Sequence, residues 1–589
     1  MRGEVLPSPL VEPERPSLFA ELQRRRVFRA LVGYGVAAFA VLQIAEPILH
    51  GFHWPDAVLS YIVAALAIGF PIVVSLAWIF DVNAGRVERT GPAPAFRGVR
   101  LWALLAGLGV LAAAPGVTWY FFVRTRAAPA AAAQAGAAGP SIAVLPFLNL
   151  SSDKEQEYFS DGITEEILNA LAQVDGLRVI GRTSSFAMKG RNEDLRSIGT
   201  QLGAGNLLEG SVRKSGARVR ITAQLIESSG GSHLWSQQFD RELTDVFAVQ
   251  EEIARAVVAA LKLKLLPQAQ AAQRTASVEA HDQYLLGRAF FARGSVQGYA
   301  QAMRALSRSV ELDPAYAPAW AALSGALFWY GDSGGGEEKT DWPKATAAAE
   351  KAIELAPGLA DGYAARSILR AVVQDWEGTR ADLERARALN PGSVEVLVQY
   401  GTMLSALGQL PEAIAIFQQA TVLDPLSAEG WLGVAIGQLG LGKLDLAEAA
   451  AKRVLQVSPE HDRGARTLGF SYLLRHRLDE ARAAFHQGHN VLFVRLGDAL
   501  IEHELGHPAE SEAPLDLILR SPRVMSSAYQ LAQIYAFRGE TDHAFQWLGH
   551  AIESHDGGLV QVKFDPILRP LHKDPRFAAL LQKMKLPPD

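Results

Sequence analysis

The sequence predicts a multi-domain protein: three N-terminal transmembrane helices, a small α/β domain, and an all-α repeat solenoid. Three observations predict it. Three apolar runs of membrane-spanning length stand within the first 123 residues. From Ser141 to about Leu265 strand and helix periodicities alternate. After about Ala280 prolines recur every 34 residues, at Pro357, Pro391, Pro425 and Pro459. The chain's 589 residues suffice for several domains. Its net charge of −5 gives no global field toward nucleic acid. With no cysteine, disulfides, thiolate metal sites and a cysteine nucleophile are excluded.

The apolar runs are Ala30–Leu49, Ala57–Phe80 and Leu101–Val123. The second and third carry no charge, and the first carries only Glu46, read as a solvated acid at a boundary. Trp54, Trp78, Trp102, Trp119 and Tyr120 near the ends suit interfacial anchors. Arg24, Arg25, Arg26 and Arg29 precede the first run, and Arg86, Arg89, Arg97 and Arg100 lie between the second and third. The loop "HGFHWPD" has no basic residue except its histidines. This bias predicts a cytoplasmic segment 1–29 and places everything beyond about Arg124 outside the cytoplasm. His50 and His53 lack a third ligand and are read as interfacial. Residues 124–140, rich in Ala, Gly and Pro, read as a tether.

In the next domain "IAVLPF" reads as a strand buried on both faces. After the loop "NLSSDKEQEYFSDG", Ile163, Ile167, Leu168 and Leu171 fall at helical spacing. Asp161 is expected to cap that helix, with Glu165 and Glu166 in its first turn. "LRVIG" is a second strand, and "DLRSIGTQLG" a helix stopped by Gly203. Three strands follow, "NLLEGSVRK", "ARVRITAQLIES" and "SHLWSQQFDR", the last two joined by "SSGGS". A helix from about Asp245 to Leu265 closes the unit. The acids Asp153, Asp161 and Glu165 have no histidine near them in sequence, no nucleophile elbow and no metal-ligand spacing, so they are not read as catalytic.

The stretches "IAVLPFLNLSSDKEQEYFSDGITEEILNAL", "LLEGSVRKSGARVRITAQLIESSGGSHLWSQQFDRE" and "VFAVQEEIA" resemble the TolB N-terminal-like (FlgO-like) domain. The resemblance spans residues 141–265. It implies an α/β module with no known catalytic residues, in a bacterial protein, often joined to tetratricopeptide repeats and sometimes to a cyclase or a winged helix.

The C-terminal half resembles tetratricopeptide repeats (TPR). Counting back from Pro425 gives Leu397, Tyr400, Gly401, Leu404, Gly408, Ala413, Phe417 and Ala420. "TLGFSY" repeats the spacing with Leu468, Gly469 and Tyr472, followed by Ala481 and Phe485. Leu531, Ala532, Tyr535, Gly539, Ala544 and Ala551 do so again. Small residues let two antiparallel helices approach, and large ones fill the notch of the next unit. About eight units are expected over 280–553, with 554–589 as a capping segment. The longer step from Pro314 to Pro357 contains "GDSGGGEEKTDWPK", which lacks the leading strand of a phosphate loop and reads as an insertion. His486 and His489 share a face but have no further ligands nearby.

The resemblance implies that residues two, five, nine and twelve of each unit face the concave side. That selects Glu395, Thr402, Glu429, Leu432, Arg463, Arg466 and Phe470 as candidate contacts to a protein or peptide. The expectation is a scaffold in a bacterial inner membrane, multi-pass, with periplasmic C-terminal domains and protein partners. No catalytic residue, metal, cofactor or nucleic-acid partner is expected. The alternative is a regulatory component of a nucleotidyl cyclase-type or other signalling system, without a catalytic domain of its own. No pair of metal-binding aspartates on adjacent strands is visible, and no basic helix-turn-helix precedes the first apolar run.

Overall fold

The computed structural model describes residues 140–589 except 175, 192, 264–274, 337, 523 and 589. Before them it describes Tyr34, Val41, Leu66, Phe80–Asn83 and Arg86–Arg89. The chain divides into two units, Met1–Gln134 and Ala135–Asp589.

In the first unit Tyr34, Val41 and Leu66 are helical, and the Tyr34 hydroxyl donates to the Leu66 carbonyl at 2.5 Å. Strand β1 (Phe80–Asn83) pairs antiparallel with β2 (Arg86–Arg89). The expected fold class, with its three transmembrane helices, is not supported: among the described residues no helix is long and apolar enough to cross a membrane. Apart from Tyr34, Val41, Leu66 and Phe80, the runs 30–49, 57–80 and 101–123 lie outside the described residues, as do Glu46, His50, His53 and 124–139. Phe80, placed by the sequence at the end of a helix, instead begins a strand. "FDVNAGRVER" alternates apolar and polar residues about a Gly-containing turn, which is a hairpin pattern. The orientation read from the arginines rests on those spans and has no other support.

The second unit opens with a mixed sheet. Its strands are β3 (Ser141–Val144), β4 (Leu148–Asn149), β5 (Arg178–Val179), β6 (Asn206–Ser215), β7 (Arg218–Glu227) and β8 (His233–Glu242). Their order is β5-β3-β6-β7-β8, with β4 also pairing β6. β3 is central, parallel to both neighbours and buried along its whole length, as its unbroken apolar run requires. β6, β7 and β8 run antiparallel. Helices α1 (Glu157–Ala172) and α4 (Val246–Ala260) cover one face through Ile163, Ile167, Leu171, Val249, Ile253 and Val257. Helices α2 (Arg182–Phe186) and α3 (Leu195–Leu202) cover the other near β3 and β5. Asp194 caps α3, and Gly203, at φ 61°, ends it in the left-handed conformation.

The rest is a tetratricopeptide-like solenoid of antiparallel helix pairs. They are α5/α6 (Val278–Phe291, Val296–Leu312), α7/α8 (Ala317–Asp332, Glu338–Leu355), α9/α10 (Ala360–Val372, Trp376–Leu389) and α11/α12 (Val394–Ala406, Leu410–Leu423). Then come α13/α14 (Ala428–Gly440, Leu444–Val457), α15/α16 (Asp462–Leu473, Leu478–Gln487), α17/α18 (Val491–Glu504, Pro508–Leu519) and α19/α20 (Ala528–Phe537, Thr541–Glu553). The 34-residue step reappears in the caps: Ser393, Ser427 and His461 each accept from a backbone N–H three residues on. It also sets the packing. The Phe417 ring fills space that a Cβ on Gly401 or Gly433 would enter, at 2.8 and 2.3 Å. Two units later Phe485 does the same against Gly469 and Gly497. The insertion lengthens α7 and α8, and Lys339-Thr340 lies inside α8.

Candidate functional site

The candidate residues sit at repeating positions of first helices, and a ladder emerges. Asp361, Glu395, Glu429 and Arg463 stand 34 residues apart at the starts of α9, α11, α13 and α15, and all four are exposed. Thr402 is exposed as well, its hydroxyl donating to the Val398 carbonyl at 2.9 Å. Leu432 and Phe470 are packed inside at 1% and 4% exposure, and Phe470 meets Phe485 edge-on at 5.4 Å. Arg466 is also buried, at 5% exposure, with its guanidinium over the Phe493 ring at 4.5 Å. Its Nε has no acceptor among the described residues. Burial pulls its pKa down to about 10. The structure therefore brings Glu395, Thr402, Glu429 and Arg463 to solvent and turns Leu432, Arg466 and Phe470 inward.

Two other parts of the chain pack against the solenoid. The α/β domain is seated on its first units. Glu165 of α1 accepts from Arg182 Nε at 3.0 Å and from Arg288 of α5. Glu166 meets His281 Nε2 at 2.9 Å and also binds Gln250. Asp161, expected as a cap, lies inside α1 and pairs with Lys189 at 2.6 Å. Asp153 caps the preceding turn through Glu155 N at 2.9 Å. The acids of the opening loop are thus held in structural contacts.

A second contact lies at the end of α12. Asp424, 1% exposed, accepts from Ser184 N at 2.8 Å, from Thr183 N at 3.2 Å, and from the Ser184 hydroxyl. One domain's carboxylate thereby caps a helix of the other. Gly181 N donates to Leu423 O at 2.7 Å, and a Cβ on Gly181 would lie 2.6 Å from the Asp424 side chain.

The C-terminal segment lies over the last pair and reaches back to the third and fifth. Asp565, 4% exposed, accepts from Tyr529 at 2.8 Å and Gln533 at 2.7 Å, both on α19. Arg569 donates to Gly440 O at 2.7 Å, and Trp376 Nε1 donates to Met584 O at 2.9 Å. Leu559, Val562, Leu568, Leu571, Phe577 and Leu581 bury this segment against the α19/α20 pair.

Charge between these two coverings is unevenly balanced. Burial alone would push Glu165 up, but Arg288 and Arg182 outweigh it and hold its carboxyl below the usual range. Glu429 behaves alike: burial raises it, and His461 and Arg463, at 3.3 and 3.4 Å, bring it below normal. Asp361 and Glu395 form no ion pair closer than 4 Å with any described residue. Solvent reaches both, yet protein surrounds them inside the superhelix, and this loss of bulk water pushes both up against the pull of Arg288. What remains open is an acidic stretch ending in a paired arginine. It holds no nucleophile–base arrangement, and among the described residues no group of His, Cys, Asp and Glu could hold a metal ion. His486 pairs with Asp498 at 2.9 Å.

The Glu165 contact makes a pH prediction. Glu165 has a lowered folded-state pKa, so its stabilisation is present above the ordinary glutamate range and lost as pH falls through the folded value. The difference in unfolding free energy between the native chain and Glu165→Gln should be constant near neutrality. It should shrink only below that range, as read from urea unfolding across pH.

No family model matches the chain. A Rhizobium meliloti (strain 1021) protein named "Putative adenylate cyclase 3" is 45% identical over 190 residues. The match covers 32% of this chain, and the chain spans about a third (32%) of that relative's length. Among solved structures, a thermophilic TPR protein of Thermus thermophilus is similar at 21% identity, covering 32% of this chain and 98% of that one, with TM-score 0.29. PilF of Pseudomonas aeruginosa matches at 16% identity over 38% and 96%, TM-score 0.30. A tetratricopeptide repeat protein of Parabacteroides merdae matches at 13% identity over 47% and 100%, TM-score 0.32. Likenesses this low carry no functional argument, and the repeat architecture stands on the chain's own helix pairs.

Proposed function

We propose that the protein is an interaction scaffold whose solenoid holds an extended segment of another protein. The binding stretch is the concave strip left open between the α/β domain and the C-terminal segment, lined by Glu395, Thr402, Glu429 and Arg463. One observation carries this reading: Asp361, Glu395, Glu429 and Arg463, 34 residues apart, are all exposed at the starts of successive first helices. Solenoids use such inner surfaces for extended partners. The α/β domain is a TolB N-terminal-like module on this reading, supported by its three sequence stretches and its mixed sheet. Its part is to close one end of the strip.

Chemical crosslinking of the native chain and a Glu395→Lys/Glu429→Lys variant in its own cells tests the proposal. The variant should lose one crosslinked partner at least tenfold with an unchanged melting temperature. Equal recovery of every partner would exclude the strip.

The match to the Rhizobium meliloti protein favours a second reading, a regulatory component of a nucleotidyl cyclase-type system. On both readings the purified chain turns over no ATP or GTP, and measurable cyclic nucleotide formation would contradict both. Binding of a cyclase domain to the strip, abolished by the same double substitution, would join them.

A further inference from the structure

Strand β8 ends the sheet, and no strand among the described residues pairs with its outer edge. It is ten residues long, yet only Phe239 is buried, with Trp235 and Asp240 half-buried and the other seven exposed. Leu234 is 45% exposed. Its hold on the sheet is the β7 ladder, the Asp240 contacts to Arg218 and Arg220 at 2.7 Å, and one face of α4. Edge strands are ordinarily shortened, bulged outward, broken by proline, studded with lysine or covered. β8 has no proline and no lysine, and its one register irregularity lies at its first residues, opposite Leu225/Ile226. The unpaired row of backbone N–H and C=O groups is a template for another strand.

We infer that a second copy of this chain occupies that edge, β8 against β8, in antiparallel pairing about a two-fold axis at Gln238. The inference is independent of the solenoid's proposed partner. Opposed residues on paired strands must point to the same face, so the axis of a continuous antiparallel sheet passes through a residue. With the axis at Gln238, Gln237 opposes Phe239, Ser236 opposes Asp240, and Trp235 opposes Arg241, all on the regular side of the irregularity at Leu234. No like charges meet. The Trp235 ring gains a guanidinium and the Asp240 carboxylate a hydroxyl. Each contact occurs twice because the interface is isologous.

The absence of cysteine makes the test direct. In the full chain Gln238→Cys places two thiols at the axis, at a Cα separation of about 4.5 to 5.5 Å, which a disulfide spans. Mild oxidation should convert Gln238→Cys to a covalent dimer, while Glu350→Cys, on the exposed side of α8, should form no covalent link. Light scattering of the native chain should give the mass of two copies. Gln238→Lys, which sets two ammonium groups face to face, should lower the dimer fraction with unchanged circular dichroism. A single-copy mass for the native chain, or oxidation of Gln238→Cys no faster than the control, would overturn the inference.

Discussion

Asp424→Ala is expected to loosen the α/β domain from the solenoid at a cost of about 4 kcal/mol, since each buried donor left without an acceptor costs about 1 to 3 kcal/mol. The substitution strands the backbone N–H groups of Thr183 and Ser184 and the Ser184 hydroxyl. Ser184 is fully buried, so water does not readily replace the lost acceptor. The same hydroxyl accepts from Leu426 N at 2.8 Å, so the disturbance reaches the next repeat unit. Urea unfolding should show a lower midpoint, and limited proteolysis should show faster cleavage near Lys189. Gly181→Ala attacks the same contact from the other side by pushing a methyl group into the carboxylate. An Asp424→Ala chain with native stability and native protease resistance would mean the two domains are not joined here.

Phe485→Ala is the second large effect, at about 4 kcal/mol, the usual range for removing a fully buried ring. Phe485 is 1% exposed and lies against the glycines of two successive first helices. Gly469 and Gly497 have no side chain with which to refill the hole, so little collapse is available. Each repeat is stabilised chiefly by its neighbours, and the loss should therefore spread along the solenoid. Differential scanning calorimetry should show a lowered or split transition. Val491→Ala, at an exposed position nearby, should move it little.

The repeats were legible because their determinants are local and periodic. Gly401, Phe417 and Pro425 recur one or two units on with the same neighbours, so spacing alone reports their packing. Several strands and helices of the α/β domain were legible for a related reason, as in the unbroken apolar run of β3 and the Asp194 and Gly203 ends of α3. The cap at Asp161 was misplaced. The polar loop continues as helix from Glu157, and Asp161 is drawn to Lys189, a partner 28 residues away that no local rule supplies. Asp424 stands before Pro425 with no local sign of its partners, which lie about 240 residues earlier. Periodicity shows which side of the solenoid is concave, but it does not reveal which other part of the chain lies there. Arg466 turns inward over the Phe493 ring of the next unit, a partner 27 residues on that its own helix does not announce. The ladder Asp361, Glu395, Glu429 and Arg463 was present in the sequence as a 34-residue series, and its first member gained meaning only beside Arg288. In the apolar N-terminal runs, length and hydropathy suggested spans, and among the described residues no helix is long and apolar enough to be one.

Two parts of this chain, the α/β domain and the C-terminal segment, pack back against its own solenoid. Hydrogen exchange at single amides tests this most directly. Gly181 N donates to Leu423 O and Tyr529 N to the Asp556 side chain, so these amides report the two contacts. They should exchange as slowly as the amide of Gly469 in the solenoid core. Rapid, loop-like exchange at Gly181 and Tyr529, with Gly469 still protected, would mean that neither part packs on the solenoid and would contradict the account.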